Sequence, residues 1–336
     1  MAYKLQGVIP KLILTNHKII IEKIMFKKLL INTITLVLVL IITQSTLLCL
    51  ENPSSVASWA ATLYQRYRVT SNITYLTADN WEAKLDVYQP TNTTSPTPTV
   101  IYFHAGGWIG SDKDVRFFHL FQYLEMGWAV VNVEYRLARV ALAPAAVEDC
   151  RCALSWVINH AEEYNFDPEK IVVAGKSAGG HLSLTTGMLP ASAGLDRRCL
   201  AQKKLKVAAI INWYGITDVN DLLEGPNMKG YAVAWFGSLS NRQEIAKRVS
   251  PLTYVRPGLP PILTIHGDVD STVPYSHAVR LHEALTSAGV PNQLLTIAGG
   301  KHGGFTEKQV LKIYSTTVNF LKQHGIEKRV RSVSLP

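Results

Sequence analysis

The chain has 336 residues, 47% of them hydrophobic, and a formal net charge of +9. That balance suits a globular protein with a sizeable core and excludes a disordered or fibrous one. The charge sits at the ends: residues 1–28 hold six lysines against one glutamate, and Lys322, Lys328, Arg329 and Arg331 face Glu327 in 322–336, leaving +1 between. A near-neutral body offers no basic surface to a polyanion, so nucleic acid is not an expected partner.

From the N-terminus, Lys27 and Lys28 precede an apolar stretch, Leu29 to Leu50, and the small residues Ser55, Val56 and Ala57 follow. Positive, apolar, then small is the order of a secretory signal peptide. Thr33, Thr35, Thr43, Gln44, Ser45 and Thr46 dilute the run, which argues against a permanent transmembrane helix. The expectation is a secreted or periplasmic protein, with 1–57 an N-terminal extension and signal and 58–336 a single domain. An uncleaved anchor at 29–50 is the alternative, and the one expected route to a membrane. Of the four cysteines, Cys49 would leave with the signal. Cys150 and Cys152 point different ways on a predicted helix, so one of them can bridge to Cys199 in an oxidising compartment, or all three can be buried thiols.

Short apolar strands then alternate with helices. Lys84–Tyr88 alternates as a strand should, and Thr99–Phe103, Trp128–Val133, Ile171–Ala174, Val207–Ile211, Pro261–Ile265 and Gln293–Ile297 are apolar runs. Ala145–Tyr164 and Tyr275–Ala288 carry apolar residues at helical spacing. Strands apolar on both faces, separated by helix-length segments, indicate a parallel sheet covered on each side. Residues 216–250 break the rhythm, and read as a helical insertion over the sheet.

Ligands of such sheets bind beyond the carboxyl ends of the strands. After Ile171–Ala174 comes Gly175-Lys176-Ser177-Ala178-Gly179-Gly180, then a helix. Strand, tight turn and helix around a serine flanked by small residues form a nucleophile elbow, whose strained backbone leaves no room for larger neighbours. Ser177 is the predicted nucleophile, and the helix N-terminus behind it favours a developing oxyanion. After Thr99–Phe103 comes His104-Ala105-Gly106-Gly107-Trp108, whose glycines can turn amides inward. Gly106 and Gly107, with the N–H of Ala178, are predicted to form an oxyanion hole.

Acid and base should follow in chain order. His302, in a glycine-rich loop after Gln293–Ile297, is the predicted base. Two carboxylates follow Pro261–Ile265: Asp270 lies further into the loop, before a helix that Pro274 can open, while Asp268 lies where it can cap the turn. His181 reads as a packing residue, His104 as a brace for the oxyanion loop and His266 as structural. Trp108, Tyr214, Trp235 and Phe236 are the candidate pocket residues, with Tyr231 beside them in the insertion. The alternative for the insertion is a hydrophobic cover for the sheet edge.

With these residues assembled, the chain resembles the carboxylesterases of the hormone-sensitive-lipase and feruloyl-esterase-like branch of the α/β-hydrolases, from about Leu85 to Lys322. Tyr135-Arg136-Leu137-Ala138, the run Pro144–Asp149, Phe166-Asp167-Pro168 and Ser250-Pro251 carry the likeness beside the elbow. It implies an α/β-hydrolase fold, with a mostly parallel sheet, helices on both faces and a small helical insertion over the site. It also favours Asp270 as the triad acid. Ala105 stands where many relatives have glycine. Asp270-x-x-Val273-Pro274 looks more like prolyl-oligopeptidase-type hydrolases and carbohydrate-ester esterases than like lipase relatives.

The expected activity is hydrolysis of small carboxylic esters, short- to medium-acyl and including acetyl or feruloyl esters of carbohydrates, through an acyl-enzyme. An amidase or peptidase of the same fold is the alternative. A binding protein on a dead hydrolase scaffold is disfavoured, because all three triad residues are kept. No metal or other cofactor is implied, since serine, histidine and the oxyanion hole supply the chemistry. Oligomeric state is not readable.

Overall fold

A computed structural model describes residues 23, 25–39, 55–115, 117–199 and 204–327. The chain divides into two compact units, 1–64 and 65–336. In the first, residues 25–39 are helical, with Leu29, Leu36 and their apolar neighbours exposed. No helix among the described residues is long and apolar enough to cross a membrane. The rest of the apolar run, Cys49 included, lies outside the described residues.

The second unit is built on an eight-stranded sheet: β1 (Tyr67–Ala78), β2 (Trp81–Pro90), β3 (Thr97–Phe103), β4 (Ala129–Val133), β5 (Phe166–Lys176), β6 (Ala209–Trp213), β7 (Ile262–Gly267) and β8 (Asn292–Ile297). The spatial order is β1-β2-β4-β3-β5-β6-β7-β8. β1 and β2 run antiparallel at one edge, and every pairing from β4 onward is parallel. β3, β4, β6 and β7 are buried at every residue, as parallel strands covered on both faces must be. β1 was not anticipated. Its Arg68, Thr70, Ser71, Asn72 and Thr74 give no apolar alternation, and its pairing with β2 is interrupted by two register shifts, features of an exposed edge strand.

The helices in chain order are α1 (Ser55–Arg66), before the first strand, α2 (Phe121–Glu125), α3 (Ala145–Asn159), α4 (Ala178–Met188), α5 (Gly230–Phe236), α6 (Arg242–Val249), α7 (Ser276–Ser287) and α8 (Glu307–Gln323). The Arg136 guanidinium forks onto Asp149 of α3 (2.7 and 3.0 Å), and Asp149 also accepts the Arg136 N–H (2.8 Å). Both side chains are buried. A buried pair is tolerable when it is this fully bonded, and it fixes the loop after β4 to α3. That is the physical content of the Tyr135–Ala138 and Pro144–Asp149 motifs. Cys152 of α3 bridges to Cys199, while Cys150 stays a buried thiol.

β3, β5, β6, β7 and β8 point the same way, so the loops that follow them open at one end of the sheet. The predicted chemistry lies on those loops.

Candidate active site

Ser177 occupies the turn between β5 and α4 with φ 56° and ψ −120°. A side chain there is strained, and the surroundings hold it. A Cβ on Gly179 would collide with the carbonyls of Phe103 and His104, and one on Gly175 with Gly179 and Phe103. The flanking residues must be small because the elbow lies directly on the end of β3. The Ser177 N–H donates to the Trp213 carbonyl (2.9 Å), tying the turn to β6 as well.

His302 Nε2 lies 2.9 Å from Ser177 Oγ, and its Nδ1 lies 2.7 Å from Asp270 Oδ2. The other oxygen of Asp270 accepts the N–H groups of Thr272 (2.8 Å) and Val273 (3.0 Å). Burial alone would raise the Asp270 pKa. Hydrogen bonds from His266 and His302, the charge of His302 and the Val273 N–H outweigh it and hold the carboxyl well below the usual carboxylate range. Asp268 is exposed and accepts the Gly299 N–H (2.7 Å), so it ties the two loops together and does not reach His302. His266, read from the sequence as structural, sits with Nε2 3.2 Å from Asp270 Oδ2 and 3.0 Å from the Val273 carbonyl. It shares the carboxylate oxygen that His302 uses, a contact that no sequence motif announced.

The loop after β3 carries positive φ at Gly106 (134°), Gly107 (61°) and Trp108 (62°). The Gly106 carbonyl accepts from Ile109 and Gly110, closing the turn, and neither the Gly106 nor the Gly107 N–H donates to a backbone oxygen among the described residues. Both glycines line the cavity with Ser177 and His302. Ala178 opens α4, so its N–H belongs to the first helical turn, where no intrahelical acceptor exists. His104 braces this loop: its ring stacks on Tyr135 at 4.2 Å, and the Tyr135 hydroxyl donates to its carbonyl (2.9 Å). Burial pushes the His104 imidazole down to about 4.

The cavity above these residues holds about 640 Å³, the size of a small-molecule site. Ile109, Phe118, Tyr231, Phe305, Val310 and Tyr314 form its walls, and the Lys176 ammonium lies 4.2 Å above the Trp213 ring at its base. Tyr214 lines it as expected, with its ring 4.6 Å from His302 and a backbone φ of 40°. Trp108, Trp235 and Phe236 do not line it. All three are fully buried, with Trp108 stacked on Trp235 at 4.2 Å and Phe236 edge-on to Trp235. Their expected place in the pocket is corrected: α5 turns Trp235 and Phe236 into the core, with Trp235 packed beneath the oxyanion loop. The insertion therefore covers and lines at once. Tyr231 reaches the cavity and donates to the Thr272 carbonyl (3.1 Å), and Lys229 donates to that of Ser271 (2.9 Å).

Phe118, Val310 and Tyr314 were missed, since nothing in the local pattern marks them. Phe305 stands three residues past His302, which was the available signal. Among the described residues no cluster of His, Cys, Asp and Glu could hold a metal ion.

Known proteins resemble this chain in sequence and fold. The chain is 26% identical over 248 residues to the esterase LipC of Mycobacterium tuberculosis, covering 71% of this chain and 61% of LipC. It spans about half the length of the next curated relatives, 44% and 46%. A propionate-bound esterase of Thermogutta terrifontis superposes with a TM-score of 0.65 at 26% identity, over 79% of this chain and 97% of that one. A truncated carbohydrate esterase from gut microbiota gives 0.64 at 26%, over 77% and 98%. The BD-FAE family model matches residues 85–285, well over half of the sequence, and the chain belongs to that family of α/β-hydrolase esterases.

Proposed function

We propose that this protein is a serine esterase that cleaves carboxylic esters through an acyl-enzyme. One observation carries the reading: Ser177 Oγ, His302 and Asp270 form a continuous hydrogen-bonded chain at the base of a cavity edged by Gly106 and Gly107. His302 Nε2 takes the serine proton as Oγ attacks the ester carbonyl, and later returns it to the departing alkoxide. Asp270, kept ionised, accepts Nδ1–H and so leaves Nε2 free to act as base. The N–H groups of Gly106, Gly107 and Ala178 receive the oxyanion. Water then repeats the sequence on the acyl-enzyme.

The substrates are small esters with short to medium acyl chains, acetyl and feruloyl esters of carbohydrates among them. A cavity of about 640 Å³ with aromatic walls supports this, as do the carbohydrate esterase and the propionate-bound esterase among the structural neighbours. Export is part of the proposal, supported by the N-terminal pattern and by the Cys152–Cys199 disulfide, which persists in an oxidising compartment.

The test is hydrolysis of p-nitrophenyl esters from acetyl to octanoyl, wild type beside Ser177→Ala. The variant is expected to lose turnover roughly a million-fold. Equal rates in the two proteins, or no hydrolysis of any ester by the wild type, would overturn the reading.

A further inference from the structure

The oxyanion loop carries, on its inner side, a buried side chain that does not line the cavity. Trp108 holds φ 62°, a conformation that is costly for a non-glycine residue and persists only where the surroundings over-determine it. Its carbonyl accepts the Ala138 N–H (2.9 Å). Its ring stacks on Trp235 (4.2 Å, 13° between planes) and meets His181 edge-on (4.9 Å, 87°). Its indole Nε1–H donates to His181 Nδ1 (3.2 Å).

His181 is equally buried, and its other nitrogen, Nε2, lies 2.7 Å from the Val249 carbonyl. The two partners assign the tautomer. An indole N–H can only donate, so Nδ1 carries the lone pair; a carbonyl can only accept, so Nε2 carries the hydrogen. The backbone of the same residue belongs to the elbow, for the His181 N–H donates to the Ser177 carbonyl (3.0 Å). One residue therefore holds the nucleophile turn by its main chain and the oxyanion loop by its ring.

We propose that His181 is a positioning residue for ester hydrolysis: through Trp108, it sets the Gly106 and Gly107 N–H groups at their distance from Ser177 Oγ. The proposal rests on the serine-esterase reading above. Its chemical sense is geometric. Oxyanion donors act at 2.7–3.1 Å from the developing charge, and a misplacement of about 1 Å can cost on the order of 100-fold. Trp235 supports the arrangement by filling the far face of Trp108. This gives the buried rings of the insertion a role at the site that their absence from the cavity wall had hidden.

Two amides separate the two bonds of the imidazole. Asn places a polar atom where Nδ1 stands and can accept from Trp108; Gln reaches the Nε2 position and can donate to Val249. Each leaves one buried partner unpaired, so both should lower the melting temperature by similar amounts. Turnover should divide them. With p-nitrophenyl acetate, His181→Gln is expected to lower kcat about 10- to 100-fold with KM within two-fold, a fraction of the loss of a whole oxyanion donor. His181→Asn should keep kcat within about three-fold of wild type. Trp108→Phe, which keeps an aromatic ring against Trp235 but removes the five-membered half of the indole with its donor, should lower kcat at least as much as His181→Gln. The double variant should be no slower than the slower of the two alone, as expected of one shared contact.

The rate at which an alkyl fluorophosphonate labels Ser177 should fall in the same order, because its P=O occupies the same hole. That labelling reports even where an ester is turned over too slowly to follow. Equal kcat losses in the Asn and Gln variants, or losses explained wholly by fewer titratable sites, would overturn the proposal and leave His181 as packing. A wild type that neither cleaves esters nor reacts with the fluorophosphonate would instead remove the esterase reading, and this proposal with it.

Discussion

At the base of the cavity Ser177 and Asp270 are 8% and 7% exposed, whereas on its walls Phe118 is 74% exposed and Ile109 41%. The base is held by backbone. Ser177, Trp108 and Tyr214 sit at positive φ, Gly179 packs against the end of β3, and Asp270 is fastened by two amides and two imidazoles. The walls are side chains from separate segments: the 104–119 stretch, α5, the His302 loop and α8. Reacting atoms are over-determined by the sheet and its turns, whereas the wall side chains stand outside that framework, and substitutions can test whether selectivity follows them.

After loss of the nucleophile itself, the strongest way to break the base is at the acid. Asp270→Asn removes the acceptor that fixes the His302 tautomer, and should lower kcat about 10,000-fold. Asp268→Asn, altering a carboxylate that only joins two loops, should stay within a few-fold. Steady-state kinetics of both variants checks the assignment, and comparable losses would undo it.

Acid attacks the support beneath the base. Burial pushes His104 and His181 down to about 4, from an ordinary value near 6.5. The unfolded chain therefore binds these protons more readily than the folded one, and unfolding free energy falls as pH drops from about 6.5 to about 4. Each imidazole contributes up to about 3 kcal/mol to that loss. Above pH 7 neither contributes any slope. Melting curves from pH 4 to pH 8 measure the effect, and His181→Asn should flatten its share. A melting temperature indifferent to pH across this window would contradict it.

A smaller effect lies apart from base and walls. The Cys152–Cys199 bridge closes a loop with a sequence separation of 47, and chain entropy gives it about 4 kcal/mol. Neither cysteine lines the cavity. The double alanine variant should thus unfold at lower denaturant, while kcat per titrated site stays within about two-fold. A matching drop in kcat per site would mean that the bridge shapes the base.

Legibility in sequence follows the same division. The elbow could be read because its requirement is local: strand, small residue, serine, small residue, helix. The parallel strands could be read because burial on both faces leaves continuous apolar runs. β1 could not, since an exposed edge strand satisfies its sheet through backbone alone. Nor was α8 anticipated, although Thr306 and Gln309 form a capping box at its start that was there to be seen. Trp108 and Trp235 were misplaced for a physical reason. A large ring near a nucleophile reads equally well as wall or as core, and only the packing of α5 against the oxyanion loop decides. The His266–Asp270 and Trp108–His181 contacts depend on side-chain directions that spacing does not encode.

The walls supply the mildest prediction and the one that most sharpens the contrast. Phe118 projects from a short helical turn before α2, and Tyr314 from α8, and both line the cavity. Phe118 has no polar side-chain atom, and Tyr314 makes no hydrogen bond to the triad among the described residues. Phe118→Ala and Tyr314→Ala should therefore leave kcat on p-nitrophenyl acetate within about three-fold, because an acetyl group is too small to need the walls. On the octanoyl ester each should change kcat/KM by about 5- to 10-fold, the worth of roughly 1 kcal/mol of apolar contact. The informative quantity is the ratio of the two substrates. If it stays constant while both rates fall, the wall residues support the base after all. If it moves while acetyl turnover holds, chemistry and selectivity are separately adjustable in this molecule, as the contrast between strained backbone below and exposed rings above implies.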